Sequence, residues 1–301
     1  MNNPLGIKRF GPLTLYVKHA QAEAERLASM LGMNISYIPA GPEPIYGLEA
    51  NDVLFILDGT PRAEALAERY GNHVSEIGLR VENSRAALET AAKRTTEPSR
   101  LCEATGVGYL RSPHDGDIQF RFIEDGQTPY LGIKRNESSA RVATHAFQRI
   151  DHIVVNTQAI KPVIAFMESV FGMKKVNEFT IRVENDEFLA SLYSEVMGIY
   201  GSEQAVLFPV NEPLAGDAVS QIPAQLREVG RSHAQHIALA TDNIIDSITS
   251  LRGRGLGFLE FRNEEHAKHY YEDVPKRLGT ISVEEALETL RRLGILVDKC
   301  G

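Results

Sequence analysis

The chain has 301 residues, of which 43% are hydrophobic and 24% charged, and a formal net charge of −8. That length holds about two domains of ordinary size, and the composition excludes a disordered chain. The acidic balance argues against a general binder of nucleic acid or of anionic membranes, and no apolar run approaches the length that crosses a bilayer.

The first residues, MNNPLGIKRFGP, lack the apolar core and small-residue cleavage site of a secretion signal. Cys102 and Cys300 stand far apart without metal-ligand or redox spacing, so a reducing cytoplasm is the expected location. Leu13-Thr14-Leu15-Tyr16-Val17 reads as a strand, and residues 19–31 follow as a helix with Leu27 and Leu31 on one face and Gly32 as its left-handed stop. Further strands are predicted at 36–38 and 53–57. Residues 76–83 (EIGLRVEN) form another, followed by a helix over 84–93. IQFRFI at 118–123 alternates as a strand should, with a hairpin turn at 114–117 before it, and 133–148 reads as a polar connector.

The second half opens with the strand IDHIVVN at 150–156. A helix follows over 161–171, with Pro162 in the first turn, where a missing N–H costs nothing, and Gly172 at its end. VLFPV ends a strand at 203–210, QHIALA forms one at 235–240, and a helix covers 244–252. Ser282 with Glu285 makes a capping box for a last helix striped by Leu287, Leu290 and Leu293. Ile295-Leu296-Val297 then starts a strand.

These pieces repeat. The first helix of each half closes alike, in SMLGM at 29–33 and SVFGM at 169–173. EIGLRVEN at 76–83 aligns without gaps on HIALATDN at 236–243. The expected fold is therefore α+β, with four strand–helix–strands (βαβββ) units arranged as two half-barrel pairs. The domain division expected is 1–140, without metal ligands, and 149–301, carrying the metal and substrate site.

Alternate residues of a strand share a face, so His152 points with Val154 and Asn156, and His236 with Ala238 and Ala240. The N-terminal half has Leu13 and Glu76 at the matching places by this alignment, and so no metal pair. Imidazole suits iron, zinc, copper or nickel, and two histidines with one carboxylate and open positions suit ferrous iron. Two hydrogen-bonded core histidines are the alternative. His233 lies three residues before His236 and by alternation faces the other way, to the surface. His266 and His269 fall in a charged stretch, EEHAKHYY, that reads as exposed.

IDHIVVN, LFPVNEP, the Ser220-Gln221-Ile222 that follows, AQHIALATDNI and LGILVD together resemble the 4-hydroxyphenylpyruvate dioxygenase family, of the vicinal-oxygen-chelate fold. The resemblance implies Fe(II) held by His152, His236 and a glutamate. It implies an aromatic 2-oxo acid and O2 as partners, with 4-hydroxyphenylpyruvate converted to homogentisate and CO2 in tyrosine catabolism. It implies Ser194, Asn211, Gln221 and Gln235 as substrate-binding residues, each an uncharged hydrogen-bonding group suited to a phenol or a carboxylate. A homo-oligomer is also expected. Asn211-Glu212-Pro213 has a turn as its alternative, and Gln235, beside His236, faces the site only if its strand is bulged.

The family's third ligand lies on a strand beyond LGILVD, whereas this sequence closes at Gly301. The fourth unit is accordingly expected to be incomplete and the third ligand absent. Glu260 shows no spacing that aims it at the histidines. Hydroxymandelate synthesis from the same substrate, a non-catalytic relative of the fold with a weak metal site, and other metal chemistry on the fold, extradiol-type or lyase, are the alternative functions.

Overall fold

The computed structural model describes residues 3–113, 118–138, 147–185, 188–214, 216, 220–258, 263–279, 283 and 285–297. The chain opens with β1 (Ile7–Tyr16), α1 (Ala20–Leu31), β2 (Asn34–Pro39), β3 (Ile45–Ala50) and β4 (Val53–Asp58). A connecting α2 (Pro61–Tyr70) leads to β5 (His73–Val81), α3 (Ser84–Ala92), β6 (Ser99–Cys102), β7 (Val107–Arg111) and β8 (Gln119–Ile123), with β9 (Ile133–Arg135) after them. The same order returns in β10 (Arg149–Asn156), α4 (Ile160–Phe166), β11 (Lys174–Asn185), β12 (Phe188–Tyr200) and β13 (Ala205–Glu212). It opens once more with α5 (Gln221–Val229), β14 (His233–Ala240) and α6 (Ile244–Gly253). The described elements then end in two helices, α7 (Glu264–Leu278) and α8 (Leu287–Leu293).

The local chemistry of the paired elements matches. α1 ends at Gly32 (φ 67°), and α4, prolonged by a wide π turn over Met167–Phe171, ends at Gly172 (φ 72°), both left-handed as glycine allows. Asn83 and Asn243 cap α3 and α6 through the same bond, accepting from the N–H three residues on. α4 has no cap of its own. Glu212, at the end of β13, accepts from Ile160 N instead (2.9 Å), so the stretch that also admitted a turn reading is strand as far as Glu212.

β1 to β9 form one sheet in the order β6-β7-β8-β5-β1-β4-β3-β2-β9, and β11-β12-β13-β10-β14 form the second. The connector read over 133–148 thus contributes an edge strand, β9, paired to β2. Among the described residues, β14 lies at the edge of its sheet. Ile295–Val297 is not a strand. Tyr270 Oη donates to Val297 O and accepts from Val297 N, and Tyr271 Oη donates to Ile295 O, so two side chains take backbone groups that a ladder would have used. Those tyrosines sit on α7, whose Tyr271, Val274 and Leu278 pack on Leu290 of α8. The stretch EEHAKHYY opens α7 with Glu264, Glu265, Lys268 and His269 exposed, as read from the sequence, and Ala267 and Tyr271 buried. The turn at 114–117, Ser282, Glu260 and Cys300 lie outside the described residues.

One core joins the halves. Phe120 of β8 meets Phe171 at 4.7 Å, Phe166 at 6.2 Å and Phe208 at 6.1 Å between ring centroids, and Phe10 meets Phe208 at 5.4 Å. Two arginines reach across reciprocally: Arg94 donates to Ser169 O near the end of the α4 helix, and Arg254 to Ser29 O near the end of α1 (3.4 Å each). Each cation meets the negative end of a helix in the opposite half. Among the described residues no helix is long and apolar enough to cross a membrane.

Phe120→Ala removes a buried ring that both halves share and should lower unfolding free energy by about 3–5 kcal/mol, read from the denaturant midpoint at unchanged slope.

Candidate active site

β10 runs antiparallel to β14 and parallel to β13, so it supplies the floor of an open trough. His152 faces Ala238 and Leu207, while His236 faces Val154, placing the two imidazoles diagonally on the same side of neighbouring strands. Their ring centroids are 5.7 Å apart, with planes at 72°. The sequence pairing is therefore met in space.

What aims the rings is a pair of bulges. Along β10 the register passes from Ile150↔Leu239 to His152↔Ala238, leaving Asp151 unopposed. Along β14 it passes from Val154↔His236 to Val155↔Ala234, leaving Gln235 unopposed. Each extra residue turns its side-chain oxygen to the ring that follows it. His152 Nδ1–H donates to Asp151 Oδ2 (2.9 Å), and His236 Nδ1–H donates to Gln235 Oε1. This fixes both tautomers and leaves both Nε2 lone pairs for an ion. Burial of the ring against the sheet, then the neighbouring His152, holds the His236 pKa below its ordinary value, although the residue as a whole is exposed at the sheet edge. A neutral imidazole is the ligating form.

The bulge at Gln235 also changes His233. It restores His233 to the trough side, opposite Asn156, where strict alternation had turned it away. Its Nδ1 donates to Arg231 O (3.1 Å). His233 thus ends a polar row across the sheet, with Asn156 facing Asn211 and Asn211 facing Ser194. Asn211 Nδ2 donates to Asn156 Oδ1 (3.2 Å), and Asn156 Nδ2 donates to Gln225 Oε1 (2.7 Å). Asn156, Asn211 and Ser194 are buried, and the Ser194 hydroxyl has no hydrogen-bond partner, an orphan donor that a ligand group would satisfy.

Gln221 does not join this row. It is exposed in the first turn of α5. Ser220 anchors that helix by donating to Ser191 O of β12 (3.2 Å), and it is Gln225, one turn further, that reaches the row. The sequence reading missed Gln225 and Asn156. The i, i+4 spacing of Gln221 and Gln225 on a helix, and the alternation of Asn156 with His152, were the signals available.

The N-terminal half shows what the scaffold places at the same positions without a histidine pair. Taking the strands in step with their helices pairs Gly32 with Gly172 and hence Pro12, not Leu13, with His152. The repeated bulge near Gly11 and Pro12, between Phe10↔Leu79 and Leu13↔Ile77, confirms this step. Leu13 corresponds to Ile153 and faces the core. Glu76 does stand where His236 stands, and Ser75 is the unopposed residue there. Glu76 Oε2 accepts from Thr14 Oγ1 (2.9 Å) and lies 3.4 Å from the buried Arg121 guanidinium. Burial raises the Glu76 pKa, with Arg121 and Thr14 opposing. Tyr130 Oη donates to Asp58 Oδ2 (2.7 Å) beside them and fills the same trough.

These features fit a metal in the C-terminal half as two imidazole donors with anchored tautomers. Among the described residues no group of three or more His, Cys, Asp or Glu side chains could hold one, so the pair is a partial ligand set.

The fold is that of the Glyoxalase/Bleomycin resistance protein/Dioxygenase superfamily, whose sequence profile matches residues 149–273. A 4-hydroxyphenylpyruvate dioxygenase of Danio rerio is 30% identical over 276 residues, covering 84% of this chain and 67% of that protein, and one of Dictyostelium discoideum is 30% identical over 253 residues, covering 76% and 65%. The chain belongs to the 4-hydroxyphenylpyruvate dioxygenase family. It spans about two thirds or less of these relatives, 54% of the Daucus carota protein for instance. Among solved structures, a mutant 4-hydroxymandelate synthase of Streptomyces coelicolor shares the fold, with a TM-score of 0.75 at 17% identity over 95% of this chain and 83% of that one.

Two outcomes test the site. Asp151→Ala should lower the affinity for Co(II), followed by its visible absorption, by about 10–100-fold while leaving both imidazoles in place. Glu76→Gln should destabilise the fold by about 3–5 kcal/mol by stranding Arg121, whereas Glu76→Leu with Arg121→Met should recover most of that loss in a denaturant titration.

Proposed function

We propose that the chain is the iron- and substrate-binding part of an Fe(II)-dependent dioxygenase that takes 4-hydroxyphenylpyruvate and O2 to homogentisate and CO2. The observation that carries this reading is the bulge-anchored pair His152 and His236, which stand four and two positions along β10 from the buried polar row at Asn156. When bound, ferrous iron supplies the activation of O2 and the oxidative decarboxylation of the 2-oxo acid.

The chain's own residues do the holding and orienting. His152 and His236 offer Nε2 to the metal, and Asp151 and Gln235 keep the rings turned. A carboxylate is the third donor the reading requires. Asn211 and Ser194 face the far end of a substrate whose 2-oxo acid lies at the histidines. One N–H of Asn211 Nδ2 goes to Asn156, which fixes the orientation of the amide, and its Oδ1 can accept a hydrogen bond, which suits a phenolic O–H. Asn156 and Gln225 fix that choice from behind. In this reading Gln221 acts only if α5 shifts, and Gln235 serves His236 rather than the substrate. A cytoplasmic homo-oligomer acting in tyrosine catabolism belongs to the same reading.

Protein supplied with Fe(II), ascorbate and 4-hydroxyphenylpyruvate should consume O2 and release homogentisate, with His152→Ala and His236→Ala each abolishing both. Formation of 4-hydroxymandelate in place of homogentisate would reassign the product, and no O2 uptake by folded, iron-loaded protein would sink the enzymatic reading.

A further inference from the structure

The trough of the N-terminal half is not wholly filled. Tyr130 and Arg121 occupy its centre, but towards the outer end of β1 a cavity of about 450 Å³ remains, bordered by Pro12, Leu54, Tyr37 and Ile133 on its apolar side. That volume lies within the range of small-molecule sites. Pro12 and Leu54 are the counterparts of His152 and Leu207, so the cavity occupies the place in this half that the metal end of the trough occupies in the other. No imidazole stands there, and Glu76 is already neutralised by Arg121.

The polar wall is cationic. Arg80 lines the cavity and donates through Nη1 to Glu124 O (2.7 Å), while its nearest carboxylate, Asp125, is 3.8 Å from Nε. That carboxylate is engaged elsewhere, by Lys8 at 3.1 Å and Arg9 at 3.0 Å, and Glu203 takes Arg9 at 2.6 Å and Lys8 at 3.6 Å. Three cations therefore share two carboxylates, and Arg80 is the one left short. Burial and the charge of Arg9 both press its pKa down, as expected of a guanidinium held without a full counter-ion. Lys134 stands exposed on the rim, and Arg135 is held by Glu49 (2.7 Å) over the Tyr37 ring (4.2 Å). Asp52 is the other acid facing the cavity.

We propose that this cavity is a second ligand site, specific for a small organic acid with an apolar or aromatic body. Its carboxylate would complete the charge at Arg80, and its body would lie against Leu54, Ile133 and Tyr37. The site needs no metal and does not depend on the reaction assigned to the C-terminal half.

Calorimetric titration of the full, metal-free chain with benzoate, benzamide and inorganic phosphate tests it. Benzoate should bind at one site at least about tenfold more tightly than benzamide, its uncharged counterpart, and than phosphate, which lacks the ring. Arg80→Gln should weaken benzoate at least about tenfold, and Lys134→Glu, a rim substitution that leaves the fold alone, should weaken it in the same direction. Asn211→Ala should leave benzoate binding unchanged. Equal affinity for benzamide or phosphate, indifference to both cavity substitutions, or loss of binding in Asn211→Ala would each overturn the proposal, the last by moving the site to the C-terminal trough.

Discussion

Two extra residues, one in β10 and one in β14, set how the two facing histidines of this molecule are held. A strand alternates its side chains strictly, so a residue next to a trough-facing histidine should point into the core. The bulges at Asp151 and Gln235 break that rule at the two places where a hydrogen-bond acceptor is needed beside an imidazole. An unanchored ring would sample both tautomers and several orientations. The anchored one presents a single nitrogen in a single direction, which is the larger part of what a metal requires of a protein ligand. The bulge in β14 has a second effect, because everything before it changes sides. His233 comes to the trough and Ala234 goes to the core, where it packs with Ile237 and Leu239.

The bulges belong to the scaffold and not to the metal. They recur near Gly11 and Pro12 and at Ser75, where no imidazole follows. The same backbone has received two answers to one problem, namely what to place on the side of the sheet turned away from the shared core. The N-terminal half fills the centre of it with Arg121, Glu76, Tyr130 and Asp58, a largely buried polar network satisfied mostly from within. The C-terminal half leaves some of its groups unused, with the buried Ser194 hydroxyl unpaired and both histidine Nε2 atoms unspent. Satisfied polar groups stabilise, and unsatisfied ones wait for a ligand.

Much of this was legible in the sequence because repeats expose function by difference. Matching EIGLRVEN to HIALATDN located His236 against Glu76, and the SMLGM and SVFGM closures located the helices. What misled was phase. A bulge is a feature of backbone hydrogen bonding and leaves no fixed mark on side-chain composition, so counting by twos sent His233 outward. Pairing Leu13 with His152 slipped the first strand by one residue against helices that were themselves correctly matched. The helix over Glu264–Leu278 carries both characters: Glu264, Glu265, Lys268 and His269 are exposed as their charge implies, while Tyr271, itself inside EEHAKHYY, joins Val274 and Leu278 in a buried face that the charged run hides. Gln225 was hidden by a nearby glutamine of the same chemistry, since a one-turn choice on a helix depends on how that helix docks.

Docking is also why the N-terminal half matters to a histidine pair that lies in the other. The face of β14 opposite His236 packs into a core shared with β5, and β13 packs on Phe10 and Phe120 through Phe208. Because β14 has only β10 as a ladder neighbour among the described residues, its position is held as much by that core as by hydrogen bonds. Moving the halves apart would tilt β14 on β10, and a small tilt there separates two rings whose centroids are 5.7 Å apart. The reciprocal reach of Arg94 and Arg254 to the helix ends of the opposite half resists such a movement at both sides of the interface. A half without a histidine pair of its own thereby fixes the distance between the two histidines of the other.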